Sequence, residues 1–433
     1  MKKLLHGLAL LVTLGFAAAE PTESREWVSV TGSKVKGSAL SVTTGQVLIK
    51  LENGRELTVP LNKLSDADRG FLSEHFGDVP PAEGAATGKA SGSGQPLITD
   101  GLAHKVGEVV GPIDAGGGSH YFVYVPKTLR KGRLAPLLHF NGSGGGNAQS
   151  VKKHVEGGEL NGWIVAASVE SKNGPGHPVQ NHEHAKNCVK HLIETLPVDP
   201  KRVYFTGGSG GGAMSYYNAA RIPSAGAMPH IGYIPEETNL KGGDFFVING
   251  ATDYNRYTSA VAVKSLGKNA IHRFFVGGHR EGPDWLCTEG MAWLNGRYLS
   301  KNKRSSELAA ERLDYESAMI SWIEKLSASE AHRAYYWCVY LRDDYKISGA
   351  NAAAVESLRS TLAAKPGCEG YAKGIAEISE FSERNYAEMG SGSLFGHTTP
   401  KLESAAAKLA AKFAGVPTLE ELARELGKPT SGK

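Results

Sequence analysis

The chain has 433 residues, 41% of them hydrophobic and 21% charged, which predicts two or three compact units with real cores rather than one ordinary domain. Its formal charge is +4, and removing Lys2 and Lys3 with an N-terminal leader brings that to +2. So small an excess leaves no electrostatic footprint for nucleic acid.

The chain opens with Lys2 and Lys3, an apolar run from Leu4 to Phe16, and the small residues Ala17-Ala18-Ala19 before Glu20. That pattern predicts a secretory signal peptide over residues 1–19, and hence a secreted or periplasmic protein. The apolar run is shorter than the ~20 residues a spanning helix needs, and nothing later in the sequence is apolar enough to leave a transmembrane segment in the mature chain. Cys188, Cys287, Cys338 and Cys368 would then meet an oxidising compartment, where three disulfide pairings are open; without a CxxC pair they give no zinc signal.

Residues 24–77 form the first predicted unit. Trp27-Val28-Ser29-Val30, Gly37 to Leu40, Gln46 to Leu51 and Leu57 to Leu61 are short strand-like runs separated by turn signals such as Asn53-Gly54, a pattern that suggests a small barrel. Arg25-Glu26-Trp27, Asn53-Gly54-Arg55 and the closing run Val59 to Asp68 resemble the SH3-like homology domain first described in the endocytic adaptor Sla. The resemblance implies a peptide-binding module with a peptide or envelope partner; a spacer barrel is the plainer reading. Residues 78–97, with Gly88-Lys89-Ala90-Ser91-Gly92-Ser93-Gly94, predict a flexible linker.

From 98 to 302 buried apolar runs alternate with helical stretches, the signature of a mostly parallel sheet covered on both faces. Tyr121 to Val125, Pro136 to Phe140, Trp163 to Ala167, Arg202 to Thr206 and Asp244 to Asn249 are the predicted strands, and Asn181 to Leu196 the clearest helix. Across 303–433 the strand signals stop and five helices are predicted: Ser305 to Leu326, Ser329 to Tyr345, Ala352 to Ala364, Tyr371 to Glu388 and Leu402 to Ala414.

Gly207-Gly208-Ser209-Gly210-Gly211 carries the strongest chemical signal. It matches the G-x-S-x-G elbow, with a buried strand running into it and a helix leaving it. There is no Lys-Ser/Thr ending for a phosphate loop and no dinucleotide fingerprint. A serine hydroxyl needs a base to take its proton and a carboxylate to hold that base in the right tautomer. Asp253, after the strand ending Val247-Ile248-Asn249, and His279, after the short strand Phe274-Phe275-Val276-Gly277-Gly278, supply them in the order Ser, Asp, His. His272 is placed before the last strand and Asp284 after the histidine, so both are weaker candidates. The backbone N–H of Gly210 and, in the glycine-rich loop Asn141 to Gly146, that of Ser143 are the expected oxyanion donors.

These residues, together with Val198-Asp199-Pro200-Lys201-Arg202-Val203-Tyr204 and Gly212-Ala213-Met214, resemble the polyhydroxybutyrate depolymerase and feruloyl esterase group of α/β-hydrolases over about 200 residues. The resemblance implies an α/β-hydrolase doubly wound sheet and a serine esterase that needs no cofactor or metal, with a small or polymeric ester as substrate. Asn141 stands where that group has His, and His279 to Trp285 replaces its usual ending. His182-Glu183-His184 looks like a metal pair, but neighbours on a helix face apart. Asp253-Tyr254-Asn255-Arg256 is open to substrate positioning or helix capping, and Trp285 to an acyl pocket or the core. A serine peptidase of the same fold and a non-catalytic cell-envelope binding protein are the alternative functions.

Overall fold

The computed structural model describes residues 21–29, 33–43, 46–76, 92–236, 238–240, 242–387 and 396–431. The predicted signal peptide and most of the predicted linker lie outside the described residues. The chain divides into two compact units, residues 1–88 and 89–433, so the helical region shares a unit with the sheet before it.

In the first unit, strands β1 (Arg25–Val28), β2 (Lys34–Thr43), β3 (Gln46–Leu51) and β4 (Glu56–Pro60) form an antiparallel meander in sequence order. The four predicted runs are these strands. A barrel was expected; what is described is an open order of four strands followed by the helix Asp66–Phe76, which the strand pattern did not predict. Trp27, Ala39, Val47, Ile49, Leu64 and Leu72 make its core, with the Trp27 indole donating to Gly37 O at 2.8 Å. Asp68 is the polar anchor. Its carboxylate accepts from Val28 N at 2.7 Å, Ser65 Oγ at 2.8 Å and Arg25 Nη2 at 2.8 Å, which ties the helix to β1.

The second unit is built on strands β5 (Val109–Asp114), β6 (His120–Tyr124), β7 (Ala135–Asn141), β8 (Ile164–Ser168), β9 (Val198–Gly208), β10 (Gly226–His230), β11 (Asp244–Gly250) and β12 (Ala270–Phe275). They form one eight-stranded sheet in the order β12-β11-β10-β9-β7-β8-β6-β5. β5/β6 and β6/β8 are antiparallel and every other pair is parallel. The central strands are apolar on both faces because helices cover both. Leu138, Tyr204, Phe246 and Ile248 pack beneath the helix Asp284–Lys301, and Leu137, Val203, Phe205 and Phe245 belong to the opposite layer with Cys188, Val189 and Leu192 of the helix Val179–Thr195.

A mostly parallel sheet with an antiparallel second strand and a tight turn after the central strand β9 fits the expected α/β-hydrolase fold. Two strands beyond those predicted complete it. β5 is a half-exposed edge, and β10, Gly-Ala-Met-Pro-His, has neither β-branched residues nor alternation to announce it.

The helical region docks on the β12 edge. Phe274 and Tyr257 pack with Tyr371, Ile378, Phe381, Leu419 and Leu422. Two buried charge clusters pin it further: Glu289 accepts from Arg273 and Arg333, each at 2.9 Å, and Glu311 from Arg202 at 2.7 Å. Removing one partner from such a group costs about 3–5 kcal/mol. Residues 92–97, assigned by composition to the linker, are also held: Ser93 donates through N and Oγ to Asp314 at 2.6 and 2.7 Å, and Arg130 Nη1 donates to Gln95 O at 2.7 Å. Among the described residues no helix is long and apolar enough to cross a membrane. All four cysteines are buried free thiols, so none of the disulfides that export would permit is formed.

Candidate active site

β9 ends at Gly208 and the helix Gly210–Ala219 starts two residues later, leaving Ser209 alone to make the turn. The turn forces Ser209 to φ 56° and ψ −117°, a conformation L-residues avoid and functional sites store. It is held there by its own N–H, which donates to His230 O at 3.1 Å. Glycine is required on either side: a Cβ on Gly211 would fall 1.9 Å from Asn141 O. That same close approach brings the loop after β7, with Ser143, against the elbow. The Ser143 carbonyl accepts from Asn173 N at 2.8 Å, whereas its amide has no partner among the described residues.

Asp253 follows β11 and His279 follows β12, so all three side chains gather at the carboxyl ends of parallel strands, where open α/β sheets place their sites. His279 Nε2 is 2.9 Å from Ser209 Oγ, and His279 Nδ1 is 2.7 Å from Asp253 Oδ1. The predicted trio is therefore brought together in one hydrogen-bonded line. Asp253 is fully buried and His279 partly so. A buried carboxylate facing Nδ1 keeps the proton on that nitrogen and leaves the Nε2 lone pair toward the serine.

The shell behind Asp253 was not foreseen. Asn249 donates through its amide to Asp253 Oδ2, and its carbonyl faces His272 Nε2 at 2.8 Å. His272 Nδ1 in turn meets Ser382 Oγ at 2.8 Å. Because the Asn249 carbonyl can only accept, Nε2 of His272 carries the proton and the Ser382 hydroxyl donates to Nδ1. His272 thus lies inside β12, not before it as expected, and acts on the acid rather than on the serine. Burial lowers its pKa to about 3, which keeps the ring neutral.

The acid loop is also stapled from outside. Thr252 N donates to Gly277 O at 2.9 Å, Ser431 N to Thr252 O at 2.7 Å, and Arg256 Nη2 to Lys428 O at 2.9 Å. Helix and tail residues beyond 380 therefore hold the loops that carry Asp253 and His279. Asp284 opens the helix Asp284–Lys301 and takes no part in the line.

A second buried cluster lies on the other flank of the elbow. His154, His230 and Cys287 bring three ligating atoms within 4.8 Å of one another. His154 Nδ1 donates to Ser150 O at 2.9 Å, leaving a bare lone pair on Nε2. His230 Nδ1 instead accepts from Gly282 N at 3.1 Å, so in the neutral ring Nε2 carries a proton and offers no lone pair to a metal. Both Nε2 atoms are buried without a hydrogen-bond partner among the described residues. Burial lowers the His154 pKa to about 4, drives that of His230 well below its usual value, and pushes the Cys287 thiol up to about 12. His182 and His184, which look like metal ligands in sequence but were expected to face apart, turn to separate partners, Asn218 at 2.9 Å and Ser119 at 2.9 Å. Trp285 lies under the Arg333 guanidinium and lines a cavity of about 350 Å³ between β12 and the C-terminal helices, whose lining includes none of Ser209, Asp253 and His279.

No family model matches the sequence, and no curated protein matches it. Among solved structures, the chain is similar to the S-formylglutathione hydrolase of Staphylococcus aureus at 11% identity and a TM-score of 0.36, over 45% of this chain and 100% of that one. It is similar to an arylesterase at 13% identity and a TM-score of 0.35, over 44% of this chain and 86% of that one. An esterase from Pyrobaculum calidifontis matches at 17% identity and a TM-score of 0.34, over 50% and 86%.

Proposed function

We propose that the protein is an exported serine hydrolase that cleaves carboxylic esters through an acyl-enzyme, with Ser209 as nucleophile, His279 as base and Asp253 as the group that orients it. The observation that carries this reading is the line Asp253–His279–Ser209, at 2.7 and 2.9 Å, with the serine on a strained elbow. Ser209 Oγ attacks the carbonyl carbon and gives its proton to His279 Nε2; the amides of Gly210 and Ser143 receive the oxyanion, each such donor being worth about 3 kcal/mol. His279 then protonates the departing alcohol oxygen, and water releases the acyl group by the same steps in reverse.

No cofactor or metal enters these steps. The motif resemblance favours an ester of the polyhydroxybutyrate depolymerase and feruloyl esterase kind, small or polymeric. The first unit is assigned as an SH3-like module that holds the enzyme at a peptide or envelope partner. Export predicts a mature chain that begins at Glu20, which N-terminal sequencing of secreted protein checks.

The central test is covalent labelling of the mature protein with a fluorophosphonate probe. Wild type is expected to label, and Ser209→Ala and His279→Ala to lose labelling with the fold intact. Folded wild type that does not label would remove the hydrolase reading and leave the envelope-binding one.

A further inference from the structure

Tyr254 follows Asp253 directly and has no part in the triad, yet it touches both reacting side chains. Its ring stacks on the His279 imidazole with centroids 4.1 Å apart and planes 22° apart. Its hydroxyl oxygen lies 2.9 Å from His279 Nε2, the same distance as Ser209 Oγ. An imidazole whose Nδ1–H faces Asp253 has one lone pair on Nε2, and that lone pair lies in the ring plane. The Tyr254 hydroxyl and Ser209 Oγ therefore both meet Nε2 while the ring is neutral. Once Nε2 has taken the serine proton it can no longer accept, and the Tyr254 hydroxyl proton turns to another acceptor beside it.

Burial raises the Tyr254 pKa, the Asp253 carboxylate raises it further, and a hydrogen bond with Ser209 opposes them more weakly. The phenol therefore stays protonated through the neutral range and remains a donor. A departing alcohol oxygen must also sit beside Nε2, because it takes its proton from there. One neutral O–H thus stands next to the atom on which negative charge grows as the ester bond breaks.

We propose that Tyr254 is a further catalytic residue whose hydroxyl donates a hydrogen bond to the leaving oxygen, and that the site is built for esters of weakly acidic aliphatic alcohols. The proposal rests on the triad reading above. In the step concerned the C–O bond of the tetrahedral intermediate breaks, its electron pair goes to the alcohol oxygen, and His279 Nε2 gives up the proton it took from Ser209. Tyr254 keeps its own proton throughout. A phenolate or nitrophenolate leaves without such help; an alkoxide does not.

The test compares Tyr254→Phe with wild type on nitrophenyl and alkyl esters of the same short-chain acid, using kcat/KM, which reports acylation alone. Fluorophosphonate labelling of both proteins checks the nucleophile, and Phe keeps the stacked ring. The expected result is normal labelling, a nitrophenyl kcat/KM within about 3-fold, and an alkyl-ester kcat/KM lower by about 10-fold or more. Equal losses on both esters, no loss on either, or wild type that labels but cleaves no alkyl ester would overturn the role of Tyr254 and leave the triad standing. Wild type that neither labels nor cleaves would overturn both.

Discussion

Two buried histidine groups flank the elbow, and they are built on opposite principles. On one side Asp253, Asn249, His272 and Ser382 form a chain in which each of these polar contacts has a donor and an acceptor. On the other, His154 and His230 each bury an Nε2 that has no hydrogen-bond partner among the described residues. Burying an unpartnered polar atom costs about 1–3 kcal/mol, whereas a satisfied network holds its members in one arrangement. The wired side is the one that touches the proposed base. Precision at this site comes from a satisfied shell that reaches into the C-terminal helices, and the opposite flank serves as core.

The largest effect expected from breaking the wired side is that of Asp253→Asn, which leaves the packing but favours the wrong imidazole tautomer. Ester turnover should fall by about 10⁴-fold, and a loss under 10-fold in steady-state kinetics would deny Asp253 its orienting role. Asn249→Leu removes the middle of the chain and strands both Asp253 and His272. Urea unfolding should show a loss of about 3 kcal/mol, accompanied by lower turnover.

Acid treats the two flanks alike. His272 and His154 have native pKa values lowered to about 3 and about 4 by burial. The unfolded chain takes up protons below about pH 6.5 while the native rings do not. Their stabilisation is therefore complete above pH 6.5 and is lost as pH falls toward 4, by about 1.4 kcal/mol per pH unit for each histidine. Melting temperatures should be level from pH 8 to 7 and drop below 6; a flat profile down to pH 4.5 would contradict the buried neutral rings.

Smaller effects sharpen the contrast. Ser382→Ala should cost about 1 kcal/mol and lower turnover a few-fold, because the hydroxyl acts on Asp253 only through two intermediates. His154→Phe deletes the unpartnered Nε2 together with the Nδ1 donor to Ser150 O; these offset, so stability should change by no more than about 1 kcal/mol, while the acid limb becomes shallower. If His154→Phe cost as much as Asn249→Leu, the second flank would be a wired network too.

Much of this was legible in the chain itself. The elbow, the order Ser, Asp, His and six of the eight strands of the sheet follow from short apolar runs and from glycines where backbones must touch. His272 was misplaced because a buried histidine inside β12 gives no pattern of its own. β10 was missed since its Gly and Pro contradict strand preference and only its neighbours on both sides impose it. The tail contacts at Lys428 and Ser431 escaped for a related reason: their partners, Arg256 and Thr252, lie more than 150 residues away.

What the sequence by itself determined is therefore the elbow and its local setting, because a strained strand-turn-helix depends on sterics within a few residues. Only the tertiary structure decided how Asp253 is held, that Tyr254 lies on His279, and that the four cysteines stay apart. Each of those is a meeting of residues on different elements, and hydrogen bonds and stacking act over a few ångströms in space with no trace in the spacing along the chain.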